Sequence, residues 1–294
     1  MRRLFSSLGI LLLLNLLFKP GWIVVESRVH NAVGHESWGL FSAFLSFSYI
    51  LAAVTELGLN QLLTKTVAAQ PEAYRRMVSR VAVLKAVLSS LLLGLMLLLG
   101  YLAGYRGTEL GLLLAVGVAQ TGIAYLQLLR ASFQAFQAFR LDALASIADK
   151  GLLMLLLAVL FIGLGGLTIE RYAAAFSSTA ALAALGFGAV ALRRFGWAAP
   201  GFSWGNLRSL LRAGLPFAVL AILGMTNERA NQVLLLRLAG EHETGLYAGA
   251  YRWVGAFSMY LWTILPVFYA KFAHGVGHPT GRQQALFNVE LVVS

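Results

Sequence analysis

The stretch GHESWGLF, Gly34–Phe41, recurs as GEHETGLY, Gly240–Tyr247, 206 residues further on. Both copies read glycine, four mostly polar residues, then Gly-Leu-aromatic. Glycines at those positions permit a tight turn with positive φ, and the closing aromatic suits a membrane interface. What surrounds each copy decides what the repetition means.

The surroundings are apolar. Hydrophobic residues make up 59% of the 294-residue chain and charged residues 12%, about half the charge of a soluble domain. Runs such as Leu8–Phe18, Val87–Leu99, Leu152–Leu164 and Leu215–Leu223 mark a polytopic membrane protein. At roughly 20 residues per crossing, spans are predicted near 8–29, 39–59, 82–103, 109–129, 143–164, 171–192, 213–236 and 246–270. The start, MRRLFSSLGILLLLNLLF, has the basic and apolar regions of a signal peptide. Lys19-Pro20-Gly21-Trp22 follows without a small-residue cleavage site, so the segment reads as a first transmembrane helix.

The net charge of +11 does not indicate nucleic acid, because the basic residues are scattered among apolar segments instead of forming one patch. Outside the spans and at their ends, Lys and Arg divide 14 to 4 between the two sides. The positive-inside rule then places the amino terminus in the cytoplasm. On this topology the copies occupy equivalent outward loops, between spans one and two and between spans seven and eight. Matching topology six spans apart points to a parallel duplication of six-helix halves. The expected organisation is an N-terminal six-helix lobe over residues 1–205 and the start of a second lobe over 206–294. With a unit of 206, Ser294 corresponds to position 88 of the first copy, so the chain reads as part of a transporter of roughly 400–480 residues.

Ionisable groups inside spans cost about 2.5 kcal/mol or more at the bilayer centre and are functional candidates. In the first span Asn15, Lys19, Trp22 and Glu26 share one helical face. The seventh carries TNERANQ, with Asn227, Glu228, Arg229, Asn231 and Gln232 in under two turns. The eighth adds Tyr251 and Arg252, the fifth Asp149 and Lys150, the fourth Gln120 and Gln127. Together these would line a polar, net cationic cavity between two bundles. Lys19, Arg229, Arg252 and Lys150 would attract an anionic phosphate or pyrophosphate headgroup, and the amides and aromatics would face sugars. Glu26, Glu228 and Asp149 are candidate coupling carboxylates for H⁺ or Na⁺.

Blander readings compete at several positions. Lys85 is expected to snorkel to the cytoplasmic interface, and Glu56 to cap or pair near a helix end. Asp149 and Lys150 suit a mutually neutralising pair, and Lys19 and Arg229 buried structural ion pairs. In RASFQAFQAFR, Phe133, Phe136 and Phe139 either continue the fourth helix or lie at the lipid boundary.

Three segments, GHESWGLFSAFLSFSYILAAVTELGLNQLLTKTVA, LLRASFQAFQAFRLDALASIADK and LPFAVLAILGMTNERANQVLLLRLAGEHETGLYAGAYR, resemble polysaccharide-biosynthesis membrane proteins. These are the lipid-linked oligosaccharide flippases (O-antigen, Wzx-type translocases) of the multidrug/oligosaccharidyl-lipid/polysaccharide exporter superfamily, a MATE-like group. The resemblance implies 12 to 14 helices in two lobes with alternating access. It also implies movement of an undecaprenyl-pyrophosphate-linked glycan across a bacterial inner membrane, beside glycosyltransferase and polymerase partners. Asn231 departs from the family, which often has Asp there. Other classes fit less well. A drug or cation exporter wants an acidic cavity. A membrane enzyme such as a glycosyltransferase or lipid phosphatase wants closely spaced acidic ligands, whereas Asp142 and Asp149 stand seven apart. His30, His35, His242, His274 and His278 form no ligand or base constellation in the sequence, and the absence of cysteine excludes thiolate metal sites and disulfides. No cofactor or metal is expected.

Overall fold

The structure, a computed structural model, describes residue 18 and residues 20–163, 166–196 and 204–255. Among these all regular structure is helical: α1 (20–33), α2 (His35–Glu56), α3 (Leu59–Ala69), a 3₁₀ turn (Pro71–Ala73), α4 (Tyr74–Leu102), α5 (Thr108–Ala135), α6 (Phe139–Gly163), α7 (Ile169–Phe195), α8 (Trp204–Leu238) and α9 (240–249). The chain divides into two compact units, Met1–Gly249 and Ala250–Ser294. The second is described over 250–255, which is also helical.

Four described segments are long and apolar enough to cross a membrane: Pro71–Leu102, Thr108–Ala135, Phe139–Phe161 and Ile169–Phe195. Their exposed faces agree with that solvent. Leu91, Leu95, Leu98 and Leu102 on α4, and Leu152, Leu155 and Val159 on α6, lie on the surface at helical spacing. Stripes of this kind would be an aggregation liability in water and are ordinary in hydrocarbon. α5 is the hub of the first unit and packs against α2, α3, α4, α6 and α7. Its approach to α7 is very close: a Cβ at Gly122 would fall 2.8 Å from the Ala180 carbonyl carbon. Small residues at such crossings let backbones meet where no hydrophobic force drives helices together.

The end of the second predicted span differs from expectation. α2 stops at Glu56, and Leu57 (φ 42°) and Gly58 (φ 63°) turn the chain in left-handed conformation. A separate helix, α3, follows and buries Leu59, Leu63 and Val67. That spacing places all three on one face. The α5–α6 corner is also packed more tightly than a lipid-boundary segment. Phe133 is fully buried, and Phe136 stacks on Phe195 with ring centroids 4.3 Å apart. Arg130 Nε donates to Asp142 at 2.7 Å, and Gln134 Nε2 donates to the same carboxylate at 3.0 Å. The rings join helices, and the arginine holds a turn.

Lys85 does not snorkel. Its side chain is 0% exposed, and Nζ donates to Glu56 Oε1 at 3.0 Å and to the Ala124 carbonyl at 3.4 Å. Asn60 Nδ2 donates to the second Glu56 oxygen at 2.5 Å. A counter-charge from the last turn of α2 is thus nearer than any route to water. Removing one partner of a fully buried pair costs about 3–5 kcal/mol; Glu56 is 28% exposed, so Lys85→Ala is expected to cost about 3 kcal/mol. Thermal unfolding in detergent measures it. Lys85→Met combined with Glu56→Gln is expected to recover most of the loss, because neither charge is then stranded.

Candidate functional site

The two copies of the opening octapeptide meet. Gly34 (φ 84°) and Gly240 (φ 88°) both take positive φ, one before α2 and the other as the first residue of α9, but the rest of each copy is helical and not the outward loop expected from the sequence. Just beyond them the helices cross without room for a side chain. A Cβ at Gly39 would lie 1.9 Å from the Glu241 carbonyl oxygen, and a Cβ at Gly245 would lie 2.0 Å from the His35 carbonyl oxygen. Adding 206 carries Gly39 to Gly245 and His35 to Glu241. Each contact is therefore the other's image under a local two-fold exchange of the repeats, the geometry of an isologous interface. One helix inward, His30 of α1 faces Gly249 of α9, where a Cβ would approach its ring within 2.9 Å. The positions that correspond to them, Leu236 and Ala43, instead line a cavity of about 210 Å³ together with residues of α4, α5 and the loop between those helices.

Below this junction α2 and α8 run antiparallel along one seam. Ser46 Oγ donates to Gln232 Oε1, and one turn deeper the Arg229 guanidinium lies 4.9 Å over the Tyr49 ring. Arg229 also pairs with Glu228 at 3.1 Å. Its Nε is buried without an acceptor among the described residues, which leaves a donor whose desolvation they do not compensate. The charges of Lys150, Arg229, Glu26 and Asp149 all act on Tyr49. Charged residues of α1, α6 and α8 thus lie within electrostatic reach of one tyrosine of α2 that the sequence reading had not singled out. A cation over a ring is held by the ring's quadrupole, so Tyr49 fixes the guanidinium without neutralising it.

The other predicted residues distribute as follows. Asn15 and Lys19 lie outside the described residues. Trp22 is half-buried against the main core. Lys150, Asn227, Glu228 and Asn231 are exposed, and Gln232 is buried; Asn231 Nδ2 donates to the Tyr247 hydroxyl at 3.5 Å. No ion pair joins Asp149 to Lys150 among the described residues. Gln120 and Gln127 part company. Gln120 is buried beside Ser48, Ser89 and Thr121, while Gln127 opens on a cleft of about 500 Å³ at the opposite end, with Glu56, Asn60, Gln61 and Lys65. Tyr251 and Arg252 belong to the second unit. Around Tyr49 the described charges are therefore Lys150 and Arg229 against Glu26, Asp149 and Glu228.

Sequence reading also missed a histidine cluster. His30 Nε2 lies 2.9 Å from His35 Nδ1, the His35 and His242 rings are 5.4 Å apart edge to face, and His30 stacks on Trp38. The only available signal was that the first two precede or open one repeat and the third opens the other.

Comparison with curated proteins and with solved structures gives no match. A family model described as polysaccharide biosynthesis protein matches residues 5–270. A match of that length, over an all-helical fold with membrane-spanning segments, places the chain in the polysaccharide biosynthesis protein family.

Proposed function

We propose that this protein is a flippase that moves a lipid-linked oligosaccharide, carried on undecaprenyl pyrophosphate, across the bacterial inner membrane. It works by alternating access between its repeats. The amino terminus lies in the cytoplasm, the repeat junction faces outward, and the protein acts as a transporter, not an enzyme. The observation that carries the reading is Arg229, held over Tyr49 at the seam between the repeats with a buried Nε lacking an acceptor among the described residues. Pyrophosphate oxygens are the acceptors that match such a fork. Lys150 is within electrostatic reach of the same tyrosine, and Lys19 and Arg252 supply further positive charge. Asn15, Trp22, Gln120, Gln127, Asn227, Asn231, Gln232 and Tyr251 are proposed to face the glycan. Glu26, Glu228 and Asp149 are proposed to carry the coupling H⁺ or Na⁺. Glycosyltransferases and a polymerase would supply and consume the cargo.

The test is reconstitution of the full-length protein into vesicles holding a fluorescent polyprenyl-pyrophosphate oligosaccharide. Dithionite quenching beyond the outer-leaflet half is expected only with protein present. Movement no greater than in protein-free vesicles overturns the proposal. The three carboxylates near Tyr49 favour one rival, an exporter of organic cations. Uptake of a lipophilic cation by the same vesicles, without glycan movement, would support the rival.

A further inference from the structure

A groove of about 800 Å³ runs between α4 and α7. Both helices and their shared neighbour α5 are long and apolar enough to cross a membrane, so the medium that meets this groove is hydrocarbon. α5 supplies the floor over 118–129, and the walls are 78–93 of α4 and 181–192 of α7. The walls stand apart because their side chains are small: Ala82 and Ala86 on one, Ala184, Gly188 and Ala189 on the other. A Cβ at Gly188 would meet only Leu129 Cδ1, at 4.0 Å, among the described residues. Two of the polar side chains in the groove are turned to backbone. The Tyr125 hydroxyl donates to the Ala82 carbonyl at 2.9 Å, and Thr121 Oγ1 donates to the Gly117 carbonyl at 3.1 Å; Ser89 and Ser90 add the other hydroxyls. Leu185 and Leu192 are exposed along the rim.

One end of the groove is basic. Arg75 precedes Val78 by one turn of α4, and its Nε donates to the Phe195 carbonyl at 3.2 Å, which ties α4 to the end of α7 there. Arg193 follows Ala189 by four residues and shares its face. Arg76, Arg80 and Arg194 adjoin them in sequence, and Glu72 of the 3₁₀ turn is the acidic residue nearby. Arg75, Arg76, Arg193 and Arg194 are exposed. None of the five arginines pairs with a carboxylate among the described residues. Basic residues at the cytoplasmic ends of spans are ordinary. Two of them set at the mouth of an apolar groove make a site with a charged end and a hydrocarbon body.

We propose that the groove holds one molecule of an anionic membrane phospholipid, with an acyl chain between α4 and α7 and the phosphodiester on Arg75 and Arg193. Dimensions and charge both select this occupant. The eleven-residue rise along the α7 wall is about 16 Å, and one leaflet of the hydrocarbon core is about 15 Å, so the groove is one acyl chain deep. Guanidinium forks match phosphate oxygens. A zwitterionic head brings its own ammonium against the arginines and gains less. The chain fills space that the small side chains leave, so the lipid packs α4 and α7 together over α5. This goes beyond the flippase reading and does not depend on it, since the lipid is a resident of the fold and not its cargo.

Native mass spectrometry of the delipidated full-length protein, titrated with phosphatidylglycerol or with phosphatidylethanolamine of the same acyl chains, is the test. One phosphatidylglycerol per chain is expected to be retained, severalfold more than phosphatidylethanolamine. Arg75→Gln combined with Arg193→Gln should erase that preference and leave weak retention of both lipids. Gly188→Trp, which fills the groove, should abolish retention of phosphatidylglycerol, while Gly188→Ala should retain it as wild type does. Circular dichroism checks that each variant is folded, and Ala184→Phe fills the same space should Gly188→Trp fail to fold. Equal retention of the two lipids by wild type, or phosphatidylglycerol retention that ignores both the filled groove and the lost arginines, overturns the proposal. Displacement of phosphatidylglycerol by an equal concentration of polyprenyl phosphate also overturns it, because the groove would then belong to the tail of the cargo. No translocation is read, so failure here leaves the flippase reading untouched.

Discussion

Gly39→Leu and Gly245→Leu are expected to separate the repeats at their junction and to cut transport by about tenfold or more. The new side chain must start where a Cβ falls 1.9 or 2.0 Å from a backbone carbonyl oxygen, and no rotamer moves a Cβ. Overpacking ordinarily costs about 1–3 kcal/mol when side chains can yield, and a backbone yields less, so the closed state should lose at least about 1.4 kcal/mol, a factor of ten in population. Gly94→Leu and Gly224→Leu are the controls, since no atom of the described residues lies within 4 Å of a Cβ at either site; they should transport normally. The double variant Gly39→Leu/Gly245→Leu should be little worse than either single one, because both act on one crossing and cannot lose the same contact twice. Vesicle transport reads the effect, and circular dichroism in detergent distinguishes separation from unfolding. Normal transport in both single variants would mean that the contact does not form during the cycle.

Arg229→Ala carries the second large effect. A charge-assisted hydrogen bond to the headgroup is worth about 1.5–3 kcal/mol, so transport of a pyrophosphate-linked glycan should fall by about 10- to 150-fold. Arg229→Lys keeps the charge but loses both the planar fork and the stack on Tyr49, and should fall between wild type and alanine. Tyr49→Phe preserves the ring and should be nearly silent, whereas Tyr49→Leu should lower transport severalfold. Glu228→Gln removes the carboxylate 3.1 Å from the guanidinium and should tighten headgroup binding. A common loss across the series, proportional to expression, would make Arg229 a structural residue only.

The repeat was the most legible feature of the sequence. Its glycines are constrained by backbone conformation at Gly34 and Gly240 and by lack of space at Gly39 and Gly245, and both constraints write themselves as residue identity. The four described segments that are long and apolar enough to cross a membrane also announced themselves, because apolar length is a composition signal. α3 did not: it is 11 residues long, below any span criterion, and only Leu59, Leu63 and Val67 betray it. Lys85 was misread because sequence gives the depth of a charge but not its partner, and Glu56 lies 29 positions away. The same limit hid the histidine cluster, which joins His35 to His242 across the two copies of the octapeptide. Tyr49 was invisible for another reason. It is one aromatic among many in an apolar helix, and only the guanidinium of Arg229 over its ring, with charges of α1 and α6 within electrostatic reach, distinguishes it.

The account turns on an anionic lipid headgroup passing beside Arg229 and Tyr49, between the two repeats. Photo-crosslinking from a benzophenone residue at Asn231, with a lipid-facing control at Leu155 (68% exposed on α6), tests this most directly. The predicted result is a covalent adduct between the radiolabelled polyprenyl-pyrophosphate glycan and position 231, suppressed by excess unlabelled lipid and lost in Arg229→Ala. Equal labelling at 155 and 231, indifferent both to competitor and to the arginine, would contradict the account.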